Sequence, residues 1–219
     1  TRAVRDQILL KNPRAAVETC EVDVMREREV LEPCVEQADL VVCATDENGS
    51  RFLMNDVLIA QGRPGLFGRA VTRAAGGDVF RYRPASGPCL ACVFGYGLLK
   101  GRNEISSMRQ ARRDLPAYMG PADMGAAVQI GLSSDIAPIS NMMVKLALLE
   151  LSRGSPSGID SLEEDLVADF YIWANRRDLI YSQWPPMEYT FTRNSILRWY
   201  GVRVERDASC LVCGAGPDG

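Results

Sequence analysis

Two C-x-x-C pairs, Cys89/Cys92 in GPCLACV and Cys210/Cys213 in SCLVCG, lie with more than half of the chain between them. Each pair offers two thiolates from a tight turn, and two such pairs together make the four-sulfur tetrahedral site that zinc prefers. If the sulfurs converge, the chain end is tied back to the segment near residue 90, and everything between must fit that closure. The separation excludes a compact zinc finger. Unrelated cysteines and a redox C-x-x-C remain as other readings. A redox pair normally opens a helix after a strand, whereas Gly87-Pro88 before Cys89 suits a knuckle. With thiolates at all four positions no place is left for water, so the expected zinc is structural and not catalytic.

The remaining cysteines, Cys20, Cys34 and Cys43, fall on apolar element faces and are expected to pack as small hydrophobes. The odd total of seven, with an N-terminal TRAVRDQILLKNP unlike a secretory signal, reads as a reduced, intracellular chain, and a cytoplasmic location is expected. There is no histidine. That removes His general bases, Ser-His and Cys-His nucleophile pairs, and His-containing metal sites. The net charge of -3 speaks against a polyanion binder, so nucleic acid is not an expected partner. No apolar run reaches the roughly 18 residues of a membrane span. Lys145 and Glu150 interrupt the best candidate, so no membrane partner is expected either.

Apolar spacing places a helix over residues 1–11, with Val4, Ile8 and Leu9 on one face, and Asn12-Pro13 stops it. Partial alternation predicts a strand over 15–24. A short helix follows over 26–37, turning Val30, Leu31, Cys34 and Val35 inward, and residues 39–43 read as a strand buried on both faces of a parallel sheet. A helix is expected over 50–61, burying Phe52 or Leu53 with Val57 and Leu58. Two strands, 64–71 and 78–83, are expected around a Gly76-Gly77 turn. Residues 133–151 form the strongest helix, with Ser133 or Ser134 as cap, Asp135 at the positive end of its dipole, and Pro138 near its front. Its apolar residues, from Ile136 to Leu149 and including Val144, cover most of its circumference, so it should be central. Short antiparallel strands over 169–174, around QWPP (183–186) and over 196–204 close on the final cysteines. The order is that of a wound α/β sheet. No G-x-G-x-x-G or P-loop occurs. We therefore expect the C-terminal half of a wound, mostly parallel nucleotide-binding sheet, with added antiparallel strands and a zinc knuckle.

Taken in order, Asn12-Pro13, Asp39 followed by Thr45-Asp46 and Arg51, then Asn55, Cys89/Cys92, Pro138 and Cys210/Cys213 resemble the ThiF/MoeB family of ubiquitin-activating-type adenylating enzymes. The resemblance covers essentially the whole chain. It implies a protein that uses ATP and magnesium to attach AMP to the C-terminal glycine carboxylate of a ubiquitin-like or sulfur-carrier protein ending in Gly-Gly, and it implies a homodimer. It also implies that Asp46, with Thr45, contacts the magnesium and nucleotide. An acid at the carboxyl end of a parallel strand faces the crevice where such sheets bind ligands, and a hard carboxylate suits Mg²⁺. Capping of the next helix is the plainer role for Asp46. Arg51 matches the family's arginine, and pairing with Asp46, Glu47 or Asp56 is its plainer role.

The chain departs from the family in two ways. Its glycine-rich phosphate loop, with the accompanying arginine and lysine, is missing from these residues. One ThiF-like adenylation domain over 1–219 is expected, lacking that part: a half-sheet over 1–93, a crossover segment over 94–132, and a helix with strands closing the zinc site over 133–219. The isolated chain is then expected to be inactive. Nor does a cysteine stand between Val93 and Pro138 for a thioester or persulfide step. The basic run from Lys100 to Arg113 suits either a grip on a partner's tail or a solvated loop. Trp173, Trp184, Tyr189, Phe191, Trp199 and Tyr200 are expected to form a small core around the zinc. A non-catalytic, zinc-stapled scaffold that binds a ubiquitin-like partner or dimerises is the main rival reading. An NAD-dependent oxidoreductase is weakened by the missing dinucleotide fingerprint.

Overall fold

The computed structural model describes residues 1–45, 47–71, 74–98, 132–156, 159–176 and 196–214. Among them, five strands form one sheet in the order β1-β2-β3-β4-β5: β1 (Val41–Cys43), β2 (Gly65–Ala70), β3 (Gly76–Tyr82), β4 (Phe170–Ala174) and β5 (Arg198–Val202). β1 and β2 are parallel, and the other three pairs are antiparallel. The chain geometry explains this mixture. A parallel pair needs a crossover of about a dozen residues. Helix α3 (Asn48–Gln61) supplies one between β1 and β2, whereas the short link from β2 to β3 permits only an antiparallel return. A mostly parallel sheet was expected; the sheet is mixed, with one parallel pair among the described residues.

Strict alternation along the strands builds two apolar layers. Phe67, Phe80, Phe170 and Ile172 point to one face, against Val57 and Leu58 of α3 and the start of α4 (Leu90–Leu98). Leu66, Val79 and Tyr171 point to the other, where Ile139, Leu146 and Leu149 of α5 (Ser133–Ser152) cover them. Burying one such side chain contributes about 1.5–3 kcal/mol, so these two layers dominate the stability of the sheet.

Several expectations change. Residues 15–24 adopt no regular strand, since pairing requires a neighbour and none lies beside them among the described residues. Among the described residues β1 lies at the edge of the sheet, and it is not buried on both faces: Val42 is 52% exposed. Gly76 and Gly77 open β3 and do not form the turn before it. The helix at 133–152 covers one face of the sheet only, leaving Val144 60% exposed. It begins after Leu132 without a side-chain cap from Ser133 or Ser134, and Pro138 falls in its second turn. Helix α1 (Arg2–Lys11) ends at Asn12 as expected but buries no residue. In α2 (Arg28–Gln37), Val35 is buried while Cys34 is exposed. Cys20 is exposed too, so of the three cysteines expected in packing only Cys43 is buried.

The tryptophans also move. Trp173 and Trp199 pack ring against ring, 5.6 Å between centroids, on the α5 face and away from the cysteines, because the pleat sends both to that side. Tyr200, one position on, joins the layer that contains Cys89 and Cys213. Trp184, Tyr189, Phe191, the QWPP strand and the basic run from Lys100 to Arg113 lie outside the described residues, as does most of the expected crossover segment. No described helix is long and apolar enough to cross a membrane.

Candidate functional site

The four paired cysteines meet. Cys89 Sγ lies 3.8 Å from Cys92 Sγ and 3.7 Å from Cys210 Sγ, and Cys92 Sγ lies 3.4 Å from Cys213 Sγ. All four sulfurs fall within 4.8 Å of one another. Tetrahedral zinc with Zn–S bonds of ~2.3 Å puts its sulfurs about 3.8 Å apart, so the cluster fits a four-thiolate metal. When bound, such a metal would supply cross-linking and no reaction chemistry.

Each pair is positioned by its own local structure. The first pair departs from the expected tight turn: Cys89 immediately precedes α4 and Cys92 lies in its first turn. That helix start is held by Asn55 of α3, a fully buried side chain whose Oδ1 accepts from the Leu90 amide at 2.8 Å. The second pair is a knuckle. Ser209 donates from its amide and its hydroxyl to Asp207 Oδ1, the Gly214 amide donates to the Cys210 carbonyl at 2.8 Å, and Arg206 donates to the Cys213 carbonyl. A Cβ on Gly214 would stand 2.5 Å from the Cys210 carbonyl oxygen, so only glycine fits there. Burial pushes the Cys89 and Cys92 thiols up. Burial works the same way on Cys210, but bonds from the amides of Cys213 and Val212 outweigh it and pull that thiol down to about 7.

The second centre lies where β1 stops. Asp46 itself lies outside the described residues, and its neighbours define the place. Thr45 follows β1, and the Ser50 hydroxyl of α3 lies 2.7 Å from its Oγ1 and 2.8 Å from the Glu47 carbonyl. Arg51 is 5% exposed. It donates to Asn48 Oδ1 at 2.9 Å and to the Thr45 carbonyl, so the first turn of α3 folds back on the residue that leaves the strand. Thr45 and Arg51, both expected at the site, are thus brought together.

These residues open on a cavity of about 170 Å³. Its floor is the part of β2 that runs past β1: the last β1–β2 register pair is Cys43 with Phe67, and Gly68, Arg69 and Ala70 continue alone on that side among the described residues. Its roof is the front of α5, with Ile139, Ser140 and Met143. Arg69 was not singled out from the sequence. It is buried and bound to Asp78, its register partner across β3, through Nε at 2.9 Å and Nη2 at 2.8 Å, both to Oδ2. Its guanidinium lies 5.0 Å from the centre of the Phe94 ring. An arginine and an aspartate nine positions apart signal nothing in a linear reading; only the hairpin register pairs them.

Residues 1–155 match the ThiF family. No curated protein matches the chain. Among solved structures, E. coli MccB superposes with a TM-score of 0.58 at 12% identity, covering 99% of this chain and 50% of that one. E. coli MccB with ATP gives 0.53 at 13% identity over 97% and 50%. The microcin C7 biosynthetic enzyme MccB in complex with N-formylated MccA gives 0.55 at 14% identity over 97% and 51%. The chain thus spans about half the length of these structures, and at such identities the likeness is one of fold. The family match covers well over half of the sequence, and it agrees with the ordered motifs from Asn12-Pro13 to Pro138: the chain belongs to the ThiF family.

Proposed function

We propose that the protein containing this chain activates a carboxyl terminus with ATP: a carboxylate oxygen of a peptide or ubiquitin-like partner attacks the α-phosphorus, and pyrophosphate leaves. The observation that carries this reading is the placement of Thr45 and buried Arg51 around a cavity at the carboxyl end of β1, in a chain of the ThiF family. Structures of MccB with ATP and with MccA support ATP and a peptide-like partner in general. Attack by a carboxylate on a phosphate needs charge neutralisation and alignment more than proton transfer, so a chain without histidine is suited to it. Asp46 is assigned to magnesium and the phosphates, Thr45 to the nucleotide. Arg51, tied to the Thr45 carbonyl, holds the strand end in position. The four cysteines are assigned to a structural zinc, and a homodimer and a partner ending in Gly-Gly belong to the same reading. The alternative reading is a non-catalytic scaffold, stapled by the four converging cysteines, that binds a ubiquitin-like partner or dimerises without activating it.

ATP–pyrophosphate exchange by the full-length protein, with small proteins and peptides as carboxylate donors, decides between the two. Exchange is expected, and Asp46→Asn should reduce it by about a hundredfold or more, the scale set by removing one electrostatic contact in a closed site. Exchange indifferent to Asp46→Asn would remove Asp46 from the site; no exchange with any donor would favour the scaffold.

A further inference from the structure

The cavity at the end of β1 has two walls of opposite chemistry. The strand end and α3 contribute Thr45 and Arg51, polar and cationic, which suit phosphates. The front of α5 contributes Ile136, Ile139 and Met143, which suit a peptide. Helices α3 and α5 pack on opposite faces of the sheet, so the two walls stand across it from one another. Gly68 has no side chain to hold α5 away, since a Cβ there would overlap the Met143 sulfur.

One residue interrupts the apolar wall. Positions 136, 139, 140 and 143 have the i, i+3, i+4, i+7 spacing that gathers them on one helical face, and Ser140 is the polar member. A serine inside a helix often turns its hydroxyl back to the carbonyl four residues before it. Ser140 makes no such bond, and its hydroxyl has no hydrogen-bond partner among the described residues. It is exposed, as is Ile136 at 38%, so both are open to an occupant of the cavity. Alanine is the better helix former, so the helix itself gives no reason for a hydroxyl at this position.

A tail ending in Gly-Gly offers the protein nothing polar except its main chain and its terminal carboxylate. That carboxylate must face the α-phosphate, on the side of Thr45 and Arg51. The α5 wall is left with the main chain just before it, where a carbonyl entering an apolar space needs a donor. A serine hydroxyl supplies one. Resting on the adenylation reading above, we propose that Ser140 binds the carboxyl donor directly: its Oγ donates to the main-chain carbonyl of the penultimate tail residue, while Ile136 and Met143 pack along the tail. Ser140 is then a substrate-binding residue on the wall opposite the nucleotide contacts.

The test uses the full-length protein, a synthetic heptapeptide ending in Gly-Gly, and the same peptide with a thioamide in place of the penultimate carbonyl, whose sulfur is a weaker acceptor. Pyrophosphate exchange and calorimetric binding are both read. Ser140→Ala should raise the KM for the peptide by about three- to tenfold, the worth of one neutral hydrogen bond, with kcat and the KM for ATP nearly unchanged. Its thermal melt should equal or slightly exceed that of wild type. The thioamide should weaken binding to wild type by a similar factor and cost nothing further in Ser140→Ala, because both changes remove the same bond. A purely structural serine would not produce that non-additivity. An unchanged peptide KM, a shift in the KM for ATP instead, or losses that simply add overturn the proposal and leave adenylation standing. Absence of exchange with any donor removes adenylation, and calorimetry then decides for Ser140 alone: tighter binding of the oxygen peptide that is lost in Ser140→Ala keeps the contact, and equal or absent binding overturns it.

Discussion

Buried polar side chains carry the decisions in this molecule, and two of them can be separated by single substitutions. Asn55 has a fully buried side chain that accepts the first amide of α4. Asn55→Leu leaves that amide buried without an acceptor, at a cost of about 1–3 kcal/mol, and frees the helix start that carries Cys89 and Cys92. We expect both a lower melting temperature and a faster loss of metal to a competing chelator; a variant that loses stability but holds metal as tightly as wild type would show that Asn55 does not position the thiols. Arg69→Ala takes from buried Asp78 its cross-strand partner, and breaking a buried ion pair from one side costs about 3–5 kcal/mol. The neutral pair Arg69→Gln/Asp78→Asn should lose much less in a urea titration. Equal losses would mean that the arginine contributes packing and not charge. Asn55 was visible in the sequence as part of an ordered motif, without its role; Arg69 and Asp78 were not visible at all, since their meeting depends on strand register.

Among the elements, α5 is attached to the sheet by charge as well as by its apolar face. Arg83, just beyond β3, donates to Glu150 of α5 at 2.8 and 2.9 Å and also to Glu163 of α6 (Asp160–Asp165), while Arg153 bridges the same two carboxylates. Burial raises the Glu163 carboxyl, but Arg83 and Arg153 outweigh it and hold the group below its ordinary value of 4.5. A depressed folded-state value means stability that is present above pH 4.5 and is lost as the pH falls through the folded value. Glu163→Gln should therefore destabilise at pH 7, by less than about 1 kcal/mol for a partly exposed group, and the difference should be smaller at pH 3, below the ordinary value of 4.5. Urea titrations at both pH values check this, and a gap that widens in acid would contradict it. Apolar periodicity made α2, α3, α5 and the strands from β2 onward legible, because each buries a face whose spacing matches its own repeat. It failed where the partner decides the outcome. Among the described residues, 15–24 have the pattern of a strand but no neighbour to pair with and β1 has a neighbour on one side only, while the helix at Cys89 starts on a hydrogen bond to Asn55, far away in the sequence.

At the scale of the whole molecule, the cysteine cluster is the one long-range closure that could be read directly from spacing. It joins α4, on the layer formed by β2, β3 and α3, to the segment that follows β5, and so binds the edge of the sheet farthest from β1 to the helix layer beneath it. Metal bound only by the folded chain adds its binding free energy to folding. Its removal should therefore lower the melting temperature of the protein by about 10 °C or more, taking a loss of several kcal/mol and the usual ~2–4 °C per kcal/mol for a chain of this size. Elemental analysis should find one zinc per chain. Because thiolates must form for the metal to bind, and burial holds Cys89 and Cys92 protonated while Cys210 ionises at about 7, affinity should rise with pH between 6 and 8. Cys213→Ser, in a buried position of the cluster, should mimic removal by chelator. Identical melts with and without chelator, or zinc content near zero in protein purified without chelator, would mean that the sulfurs converge without a metal and that the end of the chain is held by packing against Tyr82, Tyr200 and their neighbours instead.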